Sequence, residues 1–272
     1  MMKKAVIMIK KVVLYIQRWN IFMMPYLVKN IVFSGLIFFV TSLIVKKGAF
    51  DEYYSTRTCL FAVLLCNIWQ GIFNSIALFN DESSYTIDEI NKFLPVKVYI
   101  TANIILQSFL CLVEAILNTF IFTIMFDYDK TGIGGVVFYN RSLEYCLTFF
   151  LVLLSCDMLS MALGVAIKKI NSIMTALPVI LIIQFLLSDC LFELNEYVKT
   201  LSKLTTAKWG FNALGIISDL NAYAIIGGKI KPEFERTSSN LQHCWSMLGA
   251  IVVAFSLLSG LLLYFRINKE DD

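Results

Sequence analysis

Six long apolar runs occupy most of the 272-residue chain, over about residues 21–45, 59–79, 98–126, 145–167, 173–192 and 247–265. A helix rises about 1.5 Å per residue, so each run can cross the roughly 30 Å hydrocarbon slab of a bilayer. In hydrocarbon the backbone must satisfy its own polar groups, which leaves helices or a closed barrel, and runs of this length select helices. The expectation is an all-α membrane protein with six transmembrane helices. Composition agrees: 58% hydrophobic and 16% charged residues leave too little polar surface for an ordinary soluble domain.

The net charge of +3 is small, and Lys and Arg gather at the ends of the apolar runs, which suits lipid headgroups rather than nucleic acid. Seven cysteines form no CxxC pair and no cluster with His, so no metal site is expected. Cys59, Cys66, Cys111 and Cys156 fall inside apolar runs, where thiols act as small hydrophobes. For Cys190 and Cys244, near the expected exterior, a disulfide and two free thiols are both open.

Residues 1–20 are not a cleavable signal, because Lys10 and Lys11 interrupt the apolar stretch and no small-residue cleavage site follows. At about 100° per residue, Lys3, Lys4, Lys10, Lys11, Gln17 and Arg18 share an arc of roughly 140°, the pattern of an amphipathic helix lying on a membrane surface. Its cations hold it on the cytoplasmic side, and six crossings then bring the C-terminus back to the cytoplasm. Lys29 sits inside the first run, and Pro25 before it points to a late start for the membrane helix, with Lys29 snorkelling to the inner interface. Residues 21–272 read as one membrane domain with two long connections, an inner one over 80–97 and an outer one over 193–245.

Polar residues inside the runs are patterned. Asn67, Gln70 and Asn74 in the second run share an arc of about 60°, which Asp81 continues, and Asn103, Gln107, Glu114 and Asn118 in the third do the same. Such stripes face an interior or a path. A charged Glu114 near mid-membrane costs about 2.5 to 3.5 kcal/mol on insertion scales, so it is expected to be paired, hydrated or protonated. Asp157 in the fourth run lies on one side with Ser160, Gly164 and Lys168. For the third and fourth runs, helix gluing and a functional path are both open.

The segment from Asn67 to Glu89, NIWQGIFNSIALFNDESSYTIDE, followed by Tyr99, resembles the second span and coupling segment of ABCG-type ABC transporters. In that family a polar helix ends in a Glu that is followed seven residues later by another, which Glu82 and Glu89 match. Lys208-Trp-Gly-Phe-Asn-Ala-Leu214 is similar to the R-Y-G-F-x-A-L stretch of the family's large outer loop, and Ser160-Met-Ala-Leu163 adds a weaker echo. Ser83 and Ser84 stand where relatives often carry basic residues, and Ala207 where a proline is usual.

The resemblance implies six transmembrane helices preceded by an amphipathic connecting helix, a short cytosolic coupling helix, and an outer loop that partly re-enters the membrane. It implies that two such membrane subunits, identical or different, enclose a central cavity. Carried over by position, Asn67, Gln70, Asn74, Pro178 and Ile182 line that cavity, Cys190 and Leu191 form a valve towards the exit, and Glu82, Tyr85 and Glu89 couple to an ATPase. For Pro178 an ordinary helix kink is an equal reading, and His243 reads as a solvated loop residue.

No G-x-x-x-x-G-K-[ST] loop occurs, so this chain has no lysine and backbone nest for nucleotide phosphates. ATP and Mg are therefore expected on a separate ATPase subunit, in the manner of split bacterial systems, with no cofactor in this chain. The expected function is the permease subunit of an ABC exporter for an amphipathic or hydrophobic substrate such as a peptide antibiotic, a lipid or a drug-like molecule, since fixed charges would be costly in a cavity of amides and apolar groups. A non-transporting immunity or sensor subunit of the same fold is the alternative. An intramembrane enzyme finds no support, because neither H-E-x-x-H nor G-x-S-x-G is present.

Overall fold

The computed structural model of the chain describes residues 28–41, 43, 50, 52–81, 96–126, 134–167, 170–188, 195–224 and 230–270. In chain order these form α1 (Val28–Thr41), α2 (Tyr53–Asp81), α3 (Val96–Phe126), α4 (Arg141–Ala166), α5 (Ile170–Leu186), α6 (Glu196–Ser202), α7 (Thr206–Ile217), the single turn α8 (Leu220–Tyr223), a 3-10 turn at Pro232–Phe234, and α9 (Ser238–Glu270). Among the described residues four helices, α2, α3, α4 and α9, are long and apolar enough to cross a membrane. Two shorter apolar helices, Val28–Thr41 and Ser172–Leu186, overlap the first and fifth apolar runs. The expected surface helix over 1–20 lies outside the described residues.

Helix α4 is the hub, packing against α2, α3 and α9. Its start is fixed locally: Asn140 accepts from the Ser142 amide as N-cap, which satisfies one of the donors a helix N-terminus leaves unpaired. The α2–α4 crossing is close because of Gly71. A β-carbon there would lie 2.5 Å from the Leu153 carbonyl oxygen and 2.9 Å from Cys156 Cβ. Small residues that let backbones approach are a main source of helix association in lipid, where apolar side chains gain little by leaving the acyl chains.

Helix α3 shows how the sequence divides its faces. Ile105, Phe109, Leu112, Ile116, Phe120 and Ile124 recur at three- and four-residue spacing and are exposed, whereas Asn103, Gln107, Glu114 and Asn118 on the other side are buried. The apolar stripe is an outward face and the polar stripe an inward one, the reverse of a soluble helix.

One end of the bundle is capped. There the start of α2, the end of α3 and the start of α4 meet, with Phe122 4.9 Å from Tyr145 and the Arg141 guanidinium 5.9 Å above the rings of Phe50 and Tyr145. Helix α7 is buried along its whole length, seated against α2, α4, α5 and α9. Gly210 permits this, since a β-carbon there would lie 2.7 Å from Leu64 and 2.8 Å from Val152 side-chain atoms. Asp81 and Val96, which flank the expected coupling segment, lie at the other ends of α2 and α3, away from the cap.

Candidate functional site: a buried polar seam

The inward polar faces of α1, α2, α3 and α4 meet in one continuous seam. Glu114 of α3, 1% exposed, is its centre. Its Oε1 accepts from Asn30 Nδ2 at 2.8 Å and its Oε2 from Asn74 Nδ2 at 2.7 Å, so both carboxyl oxygens have an amide donor. Asn30 also donates to Asn74 Oδ1 at 2.6 Å, which closes a triangle of three side chains from three helices. The partner missing from the helical wheel was Asn30, which a wheel cannot find because it orders the residues of one helix and says nothing of its neighbours.

Two further knots extend the seam along α2. Towards the cap, Asn118 Nδ2 donates to Gln70 Oε1 at 2.6 Å and to Asn67 Oδ1 at 3.0 Å. Gln70 Nε2 then reaches the Asn30 carbonyl oxygen at 2.7 Å, and Asn67 Nδ2 the Val63 carbonyl oxygen at 2.8 Å. Next to Asn74, the Ser75 hydroxyl donates to Asp157 Oδ1 of α4 and accepts from Gln107 Nε2 at 3.2 Å. Ser160 Oγ donates to the Ile72 carbonyl oxygen at 2.6 Å. Interhelical bonds of this kind contribute about 0.6 kcal/mol each on average, with a maximum of ~1.7. Several in register fix which faces of α1, α2, α3 and α4 meet.

The sequence-derived positions separate into three groups. Asn67, Gln70, Asn74, Asn103, Gln107, Glu114 and Asp157 are all buried within the single chain, at 5% exposure or less. Pro178 and Ile182 of α5 face outward, Ile182 at 55% exposure. Glu82, Tyr85 and Glu89, and likewise Cys190 and Leu191, lie outside the described residues. Cys244 is a buried free thiol. Lys29 is exposed at the start of α1, with its ammonium 6.0 Å from the Phe73 ring, where the stem covers apolar surface and the charge stays at the edge.

The half-buried face of α2 is aromatic rather than polar. Trp69 stacks on Phe73 at 5.0 Å and on Phe33 at 6.2 Å, and Phe61 meets Phe185 of α5 edge-on at 5.9 Å. Sequence reasoning passed over this face because aromatic residues in an apolar run look like any other lipid contact.

The cap adds groups beyond the stretch over 208–214 that the resemblance picked out. Arg141 Nε donates to the Ile217 carbonyl oxygen at 3.0 Å, and Glu144 accepts the amides of Val137 and Phe138, so two buried charges hold the loop to α4 and α7. Gln184 Oε1 accepts the Ala207 amide at 3.2 Å, tying α5 to the start of α7. Lys208 is 3.8 Å from Glu233, and Trp209 lies edge-on to His243 at 5.3 Å.

Fold and seam together define a polytopic helical membrane protein with a buried polar seam and an apolar exterior. Residues 2–217 match the family described as ABC-2 type transporter, and the chain belongs to that family. It is thus an ABC-type permease membrane domain, a part that carries no ATPase site and works in a transporter with an ATPase. Among curated proteins none matches.

Proposed function

We propose that the chain is the membrane subunit of an ABC exporter which moves an amphipathic or hydrophobic substrate outward, in a complex of two membrane subunits and two ATPase subunits. Family membership over residues 2–217 is the observation that carries this reading. In this reading the cargo meets a wall other than the buried amides. Side chains such as Gln70 with Asn118, and Asn74 with the Glu114 carboxyl, are buried and bonded to one another within the chain. Their role in this reading is to hold α2 to α1 and α3, while the aromatic face of Trp69 and Phe73 and the outward face of α5 at Pro178 and Ile182 form the wall that a second subunit completes. Such a wall favours apolar cargo, since it offers dispersion contacts and few groups to solvate a charge.

In this reading the segment around Glu82, Tyr85 and Glu89 receives the ATPase stroke at the end of α2 and α3 opposite the cap. The test is reconstitution with candidate ATPase subunits in lipid, scored for co-purification, substrate-stimulated ATP hydrolysis and vesicle transport. Replacing Glu89 by Ala is expected to reduce transport at least about tenfold, the loss of roughly 1.4 kcal/mol of coupling, while leaving the complex assembled. Unchanged transport would remove Glu89 from the coupling role, and an intact complex with no transport of any compound would favour the immunity or sensor alternative.

A further inference from the structure

The two carboxyl groups of the seam are served differently. Glu114 has an amide donor on each oxygen, the arrangement that suits an ionised carboxylate. Asp157, wholly buried, has the Ser75 hydroxyl on Oδ1 and no hydrogen-bond partner on Oδ2. Gln107, 1% exposed and joined to the same Ser75 hydroxyl through its amide nitrogen, has no partner on its carbonyl oxygen Oε1. Two buried acceptor atoms thus end in the same knot with no donor for either. Among the described residues no basic side chain pairs with Asp157. Its titratable neighbours are Glu114 and Cys111 on α3 and Cys156 on α4, none of which brings a positive charge. A second anion beside Glu114 in this interior would meet both desolvation and like-charge repulsion.

We propose that Asp157 is a proton-binding site: its Oδ2 carries a proton and serves as the donor that the Gln107 carbonyl oxygen lacks. The proton completes the knot, since Asp157 then accepts from Ser75 on α2 and donates towards Gln107 on α3. Its occupancy is a latch across α2, α3 and α4, and loss of the proton sets a bare anion against a carbonyl oxygen. This inference concerns the folded subunit alone and does not rest on the transport reading.

The full chain in lipid nanodiscs at neutral pH provides the test, by infrared difference spectroscopy and thermal unfolding. The expected result is a carbonyl-stretch band of a protonated carboxylic acid that disappears in Asp157→Asn and persists in Glu114→Gln. Asparagine keeps an acceptor and a donor in the same places, so Asp157→Asn is expected to unfold within about 2 °C of the native chain, whereas Asp157→Ala unfolds ~5 °C lower or more. Absence of the band overturns the proposal, because an ionised Asp157 served by a rotated Gln107 amide, or a bound sodium ion, gives none. Loss of the band in Glu114→Gln instead assigns the proton to the other carboxyl and overturns it equally. If Asp157→Ala does not fold, the band and Asp157→Asn still decide.

Discussion

The seam and the cap hold the same bundle by opposite means. At mid-helix the contacts between α1, α2, α3 and α4 include hydrogen bonds among amides, carboxyls and the Ser75 and Ser160 hydroxyls. At the capped end rings dominate, Phe122 with Tyr145 and Phe149 and Phe211 with Phe234, beside the hydrogen bonds of Arg141 and Glu144. The difference follows from what each region would touch if the helices separated. Apolar side chains at mid-helix would exchange one hydrocarbon neighbour for another, so their burial gains little, and polar pairs are what define the preferred arrangement. At the cap, where Arg141, Glu144, Lys208 and Glu233 collect, any apolar surface that separation exposed to water would forfeit the usual hydrophobic gain. Specificity of helix pairing is therefore carried by the seam, and the cap adds the burial of large rings.

That contrast can be broken by measurement. The largest effect is expected at the cap: Phe211→Ala removes a ring that is 1% exposed and leaves a cavity beside Phe234, at about 3 to 5 kcal/mol in denaturant unfolding from mixed micelles. A cost below that of the seam substitutions would reverse the division of labour. Next is Glu114→Ala, expected to cost about 1 to 3 kcal/mol because it strands the Asn30 and Asn74 amides. A double-mutant cycle with Asn74→Ala should return a coupling of about 0.6 to 1.7 kcal/mol, and a coupling near zero would show that the seam does not join α2 to α3. The smallest effect belongs to Trp245→Phe, which keeps the stack on Phe138 at 5.7 Å and loses only the Nε1 bond to Thr148 Oγ1 at 3.0 Å. About 0.5 to 1.5 kcal/mol is expected there.

The long apolar helices were legible because length and hydropathy alone determine them. Cys59 and Phe79 fall inside Tyr53–Asp81, and the third and fourth runs differ from α3 and α4 by a few residues at most. The excess lies where polar residues extend a helix past its apolar stretch: α9 begins at Ser238, ahead of the apolar run, since Leu241, Cys244 and Leu248 pack into the core. The inward direction of the α3 polar stripe was equally legible, because helical period fixes which residues share a face. The partners across the faces were not. Asn30 carries no signal in the first run, and only the packing of α1 brings it to Glu114. The connection over 193–245 hid most, since the wholly buried α7 is recognisable from tertiary contacts and not from an amphipathic period read in isolation. Glu82, Tyr85, Glu89, Cys190 and Leu191 rest on resemblance alone.

At Gly71 the main chain of α2 rests directly on that of α4, with no side chain between them to act as a cushion. Two rods in such contact cannot slide past one another by a rotamer change, so any displacement of α2 would be handed on to α4 with little slack. A single methyl group at this one position would pry them apart and blunt the transmission, however sound every polar contact on either side remained.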